Sequence, residues 1–457
     1  MDTKHSLTPA SMRREIGLAG AVSILAGIMI GSGIFYIGGI VFERAALSPS
    51  LTLLAWVVGG LVTLLSGICF AELGAMMPKA GGFYVYLREA YGNRVAYVSG
   101  LSHFLLTGPG SVAALALAMS AALASIVPLD ALEQKMLAVA VVTTLTLVNL
   151  KGIRLSARLQ TFFLLVKLVP IVVLLVGGLW VGREPIEWSI PAEVSLLEFC
   201  SMIGFAVIAT LWAYEGWSNL NTVAEEVKNP SRNIPLALIG AIVGVALLYT
   251  LFHVAIFRAL PLEAMIHNVR EGDWYLGAHV ARVLFGEAGM VFVAVAMTLA
   301  IFNSLNGCIM VFPRLYYAMA RDGVLFESMG RLHPISGTPV VAQWVSCALA
   351  IVLICFRSLG ELTSLVAVCA LIINCLAFYS VVLLRRRRPK LERPYRVWLY
   401  PLSIVLVLAV TFGLIVNTFV NDPITAMMGI GIAVIGWFSY GPTVGRTLKQ
   451  RAKEPLS

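Results

Sequence analysis

The segment Ile28-Met29-Ile30-Gly31-Ser32-Gly33-Ile34-Phe35 decides how the chain is read. It lies near the middle of an apolar stretch, residues 16–45, that is long enough to cross a hydrocarbon layer as a helix. Gly31 and Gly33 fall where that helix should be continuous, and each glycine weakens a helix interior by roughly 1 kcal/mol relative to alanine. One glycine in an apolar helix usually marks helix packing. Here a second segment, Leu211-Trp212-Ala213-Tyr214-Glu215-Gly216-Trp217, puts an acidic residue and a glycine at similar depth in the stretch 196–226. The first segment opens one block of five apolar stretches and the second opens the next block. Interrupted helices in matching positions of two halves point to inverted repeats around a central site.

Outward from these breaks, the composition supports a membrane setting. Of 457 residues, 59% are hydrophobic and 12% charged, and mean hydropathy is +0.89. A soluble chain carries about 25% charged residues. The apolar residues gather into stretches at 16–45, 51–76, 95–125, 134–150, 157–181, 196–226, 234–258, 286–320, 339–357, 360–384, 399–420 and 424–444. In lipid the backbone must satisfy its own polar groups, so these stretches predict helices and an all-α polytopic membrane protein. The third is long enough to predict tilt. The polar segment 1–15 lacks a cleavable leader pattern, so the first stretch is expected to be kept. The longest loop, Ala259 to Phe285, is too short for an independent domain.

The net charge of +9 is explained by placement. Lys4, Arg13, Arg14, Lys79, Arg88, Arg94, Lys151, Arg154, Arg158, Lys228, Arg232, Arg314, Arg321, Arg331, Arg385 to Arg388, Lys390, Arg393, Arg396, Arg446, Lys449, Arg451 and Lys453 fall on one side of the expected helices. The opposite side holds only Arg44, Lys135, Arg183, Arg258, Arg270, Arg282 and Arg357. The first set is expected to be cytoplasmic, with both termini inside. No nucleic-acid partner is implied. The run Arg385–Arg388 reads as a topology anchor or as a lipid-headgroup or partner patch. Cys69, Cys200, Cys308, Cys347, Cys355, Cys369 and Cys375 show no metal or disulfide spacing and read as small packing residues. No cofactor or metal is expected, and enzyme motifs such as G-x-x-x-x-G-K-[ST], H-E-x-x-H and G-x-S-x-G are absent.

A helix broken in mid-membrane exposes unpaired N–H groups at one new end and unpaired carbonyls at the other. The first end carries partial positive charge and the second partial negative charge. A zwitterionic amino acid matches that pair. Its carboxylate fits the amides of Ser32, Gly33 and Ile34, its ammonium fits carbonyls at the ends of the first half-helices, and glycine permits the close backbone approach.

Lys167 stands nine residues beyond Arg158, about 13 Å into the membrane at 1.5 Å per residue. An ionisable residue at that depth is a functional candidate; the alternative is a lysine that snorkels to the surface. Facing the first break, its amine would stand where a sodium ion otherwise sits, or it would titrate. Glu215 either neutralises a cation or faces a neighbouring helix. Trp212, at the second break, either covers the substrate as a gate or is packed. His103 and His253 read as hydrogen-bonded packing residues. Asn303, Ser304 and Asn306 either line a polar path or pair with adjacent helices.

The chain resembles the L-amino acid transporter branch of the amino acid–polyamine–organocation superfamily, most of all its bacterial alanine–serine–cysteine and serine/threonine exchangers. The resemblance rests on Gly31-Ser32-Gly33-Ile34-Phe35, Trp212-Ala213-Tyr214-Glu215-Gly216-Trp217 and Glu225-Glu226-Val227-Lys228-Asn229-Pro230-Ser231-Arg232-Asn233-Ile234-Pro235. It extends to Ser304-Leu305-Asn306-Gly307 with Arg314, Ala320-Arg321-Asp322-Gly323 and Arg388-Pro389-Lys390-Leu391-Glu392-Arg393-Pro394. These run in family order over nearly the whole chain.

The resemblance implies a LeuT-like fold of five plus five inverted spans with two additional helices, twelve in all, helices 1 and 6 discontinuous. The division would be a cytoplasmic segment 1–15 and a transport core 16–384, with repeats at about 16–181 and 196–384. Two added helices at 399–444 and a cytoplasmic tail 445–457 would complete it. It also implies carboxylate binding on Ser32 and Gly33, amine binding on the carbonyls of Met29, Trp212 and Glu215, a gate at Trp212, and Lys167 near a sodium site that related transporters fill. Candidates for the side-chain pocket are Thr107, Gly108, Ser304, Asn306, Val366, Val368 and Leu371. The animal light subunits bond a heavy chain through a cysteine between spans 3 and 4. Ile126 to Gln134 holds none, so no disulfide-linked heavy subunit is expected. Span 10 has the smaller stretch Val366-Ala367-Val368-Cys369-Ala370-Leu371 where the large light subunits place aromatics, so their bulky-substrate preference is not carried over.

The leading expectation is a sodium-independent exchanger of neutral L-amino acids in a cell membrane, most like a bacterial inner membrane. A proton-coupled symporter using Lys167 is the alternative, and a membrane receptor or channel the remote one.

Overall fold

A computed structural model describes residues 12–186 and 195–451. Residues 1–11 of the expected N-terminal segment and 452–457 of the expected tail lie outside the described residues. In chain order the helices are α1 (Leu18–Met29), α2 (Gly33–Arg44), α3 (Pro49–Met76), α4 (Phe83–Tyr91), α5 (Asn93–Ser102) and α6 (Gly108–Ala124). They continue with α7 (Ala131–Asn149), α8 (Ile153–Val181), α9 (Leu196–Ala213), α10 (Pro230–Ala259), α11 (Leu262–Arg270) and α12 (Leu276–Phe285). The last five are α13 (Ala288–Arg321), α14 (Val340–Phe356), α15 (Leu359–Arg387), α16 (Leu402–Asn421) and α17 (Pro423–Arg451). Among the described residues no strand forms; one isolated bridge pairs Ile16 with Val227.

Eight of the described helices are long and apolar enough to cross a membrane, or nine counting α1 and α2 as one bent span. The stretches expected at 196–226, 339–357 and 424–444 hold shorter apolar helices, so length and apolarity alone do not reach twelve crossings. The third stretch spends its extra length on a π-helical turn, His103–Thr107, that joins α5 to α6. Such turns often accompany functional sites. The loop 259–285 is helical rather than irregular, holding α11 and α12.

The helix starts explain themselves locally. Asp130 with Glu133, Ser195 with Glu198 and Ser358 with Glu361 form capping boxes that open α7, α9 and α15, satisfying amides that a helix start leaves unpaired. All three lie at the arginine-poor end. At the arginine-rich end the charges pair internally. Buried Glu72 accepts from Arg385 and from the Val397 amide at 2.7 Å, and Arg393 lies 3.6 Å away. Arg387 donates to the Ala90 carbonyl at 2.8 Å, so part of the run Arg385–Arg388 clamps α15 to α3 and α4. Arg314 donates to Glu226 at 2.8 Å, both almost fully buried.

One sequence expectation changes here. Cys200 and Cys355 are exposed on α9 and α14, not packed; Cys69, Cys308, Cys347 and Cys369 are buried as expected. Apolar neighbours in sequence do not reveal which face of a helix turns outward. His103 and His253 do pack as read. His103 Nδ1 lies 3.3 Å from the Tyr316 hydroxyl, and His253 Nδ1 lies 2.7 Å from the Tyr249 carbonyl.

Candidate functional site

The first break is real and sharp. α1 ends at Met29, α2 begins at Gly33, and the two are bent by 52°. Ile30 leaves helical geometry at φ −78°, ψ 88°, which ends the ladder. Among the described residues the amides of Ser32, Gly33 and Ile34 have no hydrogen-bond acceptor, and Ser32 makes no side-chain cap. These amides start α2, where the helix dipole is positive. Gly31, Ser32 and Gly33 are half-buried.

The carbonyls on the other side of the break are held by three side chains. Lys167, fully buried on α8, donates from Nζ to Gly27 O at 2.7 Å and Ile30 O at 2.5 Å. This position is incompatible with a snorkelling lysine. Ser304 Oγ lies 3.2 Å from Gly27 O and 3.0 Å from Ile28 O. The Tyr249 hydroxyl lies 3.0 Å from Met29 O and 3.2 Å from Ala213 O, so one group on α10 meets the ends of both first half-helices. Tyr249 is not among the residues singled out from the sequence. Its signal was available: a tyrosine hydroxyl in an apolar stretch needs a buried partner.

The second break follows α9. A turn at 214–218 leads into a 3-10 helix, Asn219–Glu226. Gly216 has φ +110°, a conformation that side-chain-bearing residues rarely adopt. The two breaks touch reciprocally. A Cβ on Gly216 would stand 2.7 Å from Ile28 Cγ2, and one on Gly33 would stand 3.2 Å from the Ala213 Cα and Cβ. Each glycine therefore lets one broken helix cross the other.

At this crossing Trp212 is exposed at 42%, and its indole N–H donates to the Tyr36 hydroxyl on α2 at 3.2 Å. Glu215 is exposed as well. Of the three carbonyls named for the amine, Met29 O already accepts from Tyr249 and from the Gly31 amide at 3.0 Å, and Trp212 O accepts from the Glu215 amide at 3.3 Å. The Glu215 carbonyl has no donor among the described residues.

Behind the first break runs a buried chain of side-chain amides. Asn149 Nδ2 donates to Asn306 Oδ1 at 3.0 Å, Asn306 Nδ2 to Gln160 Oε1 at 2.6 Å, and Gln160 Nε2 to Asn303 O at 3.1 Å. Asn306 is thus committed between α7 and α8, and Ser304 to the break carbonyls. The other pocket candidates are spread over several helices. Thr107 closes the π turn, Gly108 abuts the Tyr316 hydroxyl, Val366 abuts Gly110 of α6, and Val368 abuts Gly429 of α17. Leu371 is half-buried on α15.

The arginine-rich end is closed by backbone. The Glu15 and Ile16 amides donate to Glu226 O at 2.9 Å, and the Lys228 amide donates to Ile16 O at 2.8 Å. Glu225 receives the amides of Met12 at 3.3 Å and Ala80 at 3.1 Å. The chain entering the first break is therefore stitched to the chain leaving the second. A cleft of about 150 Å³ lined by Arg13, Glu15, Lys151, Arg154 and Glu226 lies at this end.

Comparison with known proteins identifies the family. A family model described as amino acid permease matches residues 16–439. The serine/threonine exchanger SteT of Bacillus subtilis (strain 168) is 31% identical over 427 residues, covering 93% of this chain and 95% of that protein. Asc-type amino acid transporter 1 of Mus musculus is 30% identical over 439 residues, covering 93% and 80%. The b(0,+)-type amino acid transporter 1 of Mus musculus is 30% identical over 427 residues, covering 91% and 85%.

Proposed function

We infer the function from one premise: the chain belongs to the amino acid permease family. It is a multi-pass membrane protein and a transporter, not an enzyme. We propose that it exchanges neutral L-amino acids across a cell membrane, without sodium, by alternating access in a twelve-span inverted-repeat fold with both termini cytoplasmic.

The observation that carries this reading is the asymmetry of the first break. Three amides without acceptors, those of Ser32, Gly33 and Ile34, lie on one side, and carbonyls held by Lys167, Ser304 and Tyr249 lie on the other. The amides offer a carboxylate three donors at the positive end of α2. The substrate ammonium is assigned to the carbonyls of Met29, Trp212 and Glu215. Glu215 O is open to it at once, and one lone pair of Met29 O becomes open when the Tyr249 hydroxyl turns wholly to Ala213 O, the Gly31 amide keeping the other. Both charged ends meet backbone, so the binding frame supplies no net side-chain charge and favours neutral side chains.

Sodium independence is supported by Lys167. Its amine bonds Gly27 O and Ile30 O, the kind of carbonyl pair at a helix end that coordinates a cation in transporters with discontinuous helices. An amine tethered to α8 occupies that position permanently. The serine/threonine and Asc-type relatives suggest small substrates for this chain. A second reading, proton symport through Lys167, draws on that amine's having no carboxylate partner among the described residues.

Uptake into proteoliposomes tests the proposal. Labelled amino acid is expected to enter only vesicles preloaded with amino acid, with no response to replacing sodium by choline. Equal accumulation with an empty lumen overturns exchange, and accumulation driven by a pH gradient into an empty lumen establishes the second reading. A thermal-shift screen of the twenty standard amino acids identifies the ligands.

A further inference from the structure

α2 carries a stripe that links the proposed carboxylate site to the opposite end of the molecule. Gly33 lies against Ala213, Tyr36 holds the Trp212 indole, Gly39 lies against the Trp274 carbonyl, and Glu43 accepts the Trp274 indole N–H at 3.2 Å. The spacing of three, three and four residues puts these positions on one helix face. They extend about 15 Å along the axis. Tyr36 sits centrally, with its ring 6.1 Å from that of Tyr275, just before α12. Its side chain leans toward the N-terminus of α2, as side chains on a helix do, and so toward the break.

We propose that Tyr36 is a positioning residue for the Trp212 gate: its hydroxyl accepts the indole N–H and fixes the ring beside the substrate site, while Trp274 and Tyr275 dock on the same face of α2 and hold that half-helix in register. This rests on the reading of the crossing as an amino acid site. Three observations favour a coupled device over plain packing. Trp212 is exposed at 42%, so no enclosing core fixes its ring. The indole is anchored to the half-helix whose amides would receive the carboxylate, so displacement of α2 also displaces the gate. The outer segment reaches α2 through one hydrogen bond, Trp274 to Glu43, and one close backbone approach, the Trp274 carbonyl against Gly39. Only a residue without a side chain tolerates the latter, since a Cβ on Gly39 would stand 2.4 Å from that carbonyl oxygen.

The chemistry defines the effect. Removing the hydroxyl frees the indole to rotate, which speeds substrate escape and weakens apparent affinity. It does not touch the amides, the break carbonyls or Lys167, so the translocation step continues. Apparent KM therefore rises while maximal exchange is kept.

The experiment uses the full chain in proteoliposomes, with the best-exchanged of the twenty standard amino acids as probe. Tyr36→Phe removes one oxygen and keeps the ring. It is expected to raise apparent KM at least threefold with Vmax within a factor of two. In a Trp212→Phe background, where the N–H is already gone, adding Tyr36→Phe is expected to change KM by less than a factor of 1.5. Unchanged KM in Tyr36→Phe overturns the inference. So does a double variant whose KM rises by the product of the two single effects, or a fall in Vmax with KM constant, the mark of a merely structural loss. A wild-type protein that exchanges none of the twenty overturns the functional reading and this inference with it; wild-type exchange with an unaltered Tyr36→Phe overturns this inference alone.

Discussion

The Lys167 amine on α8 lies 2.5 Å from the carbonyl oxygen of Ile30, the first residue beyond α1. The same amine reaches Gly27 O at 2.7 Å, so a single side chain satisfies two carbonyls that the break deprives of helical partners. This contact makes the break a stable element of the fold, and it defines what losing the amine costs.

Lys167→Ala leaves Gly27 O and Ile30 O without that donor in a buried site. An unsatisfied buried carbonyl costs about 1–3 kcal/mol, and Ser304 offsets part of it for Gly27. The variant is expected to purify as a monodisperse protein with a Tm lowered by that loss of about 1–3 kcal/mol and with slower exchange. Size-exclusion chromatography and proteoliposome counterflow check it. Wild-type counterflow in the variant removes the functional role given to this amine.

Gly33 and Gly31 should separate. A Cβ on Gly33 would press on Ala213 at 3.2 Å, whereas one on Gly31 would meet Ser304 Oγ at an ordinary 3.6 Å. Gly33→Ala is expected to abolish ligand-induced thermal stabilisation, and Gly31→Ala to retain most of it. The reverse order would argue against carboxylate binding on the Gly33 side of the break.

Gly216 is constrained twice, by φ +110° and by a 2.7 Å approach to Ile28 Cγ2. Strained backbone of this kind costs of order 1–3 kcal/mol for a residue with a side chain. Gly216→Ala is expected to lower Tm more than Gly204→Ala, a site on α9 with open space around it. Equal Tm values would show that the second break adapts to a side chain.

Arg314 and Glu226 form a buried pair at 2.8 Å with side chains 1% and 3% exposed. Removing one partner strands a buried charge and costs about 3–5 kcal/mol, whereas replacing both is far milder. Arg314→Met is therefore expected to be less stable than the double variant Arg314→Met with Glu226→Gln. Thermal unfolding in detergent measures the order, and additive losses would contradict it.

Tyr249→Phe removes the hydroxyl shared by Met29 O and Ala213 O. With about 1–3 kcal/mol at stake, apparent KM is expected to shift severalfold in proteoliposome exchange. An unchanged KM would place the substrate ammonium away from the Met29 carbonyl.

The comparison of sequence with structure is clearest at individual residues. The breaks were legible because glycines in mid-membrane helices stand out against an apolar background, and the structure breaks the chain at both. Lys167 was legible as unusual because its depth follows from helix rise alone. Tyr249 and Gln160 were not singled out, since what distinguishes them is a partner on another helix. Cys200 and Cys355 were misread for the related reason that an almost uniformly apolar stretch does not say which of its faces points outward.

The sequence by itself determined the class of protein, the positions of the two breaks and the residue types able to serve them. These are local properties: stretch length, glycine in a helix, a charge at a computable depth. Only the tertiary structure decided that the Lys167 amine ends on Gly27 and Ile30, that one tyrosine meets both half-helices, and that Gly33 and Gly216 let the broken helices cross. Most of those contacts join residues more than a hundred positions apart, such as Gly33 with Ala213 and Lys167 with Gly27. They depend on the rotation of each helix about its axis, which packing fixes and an almost uniformly apolar sequence leaves open.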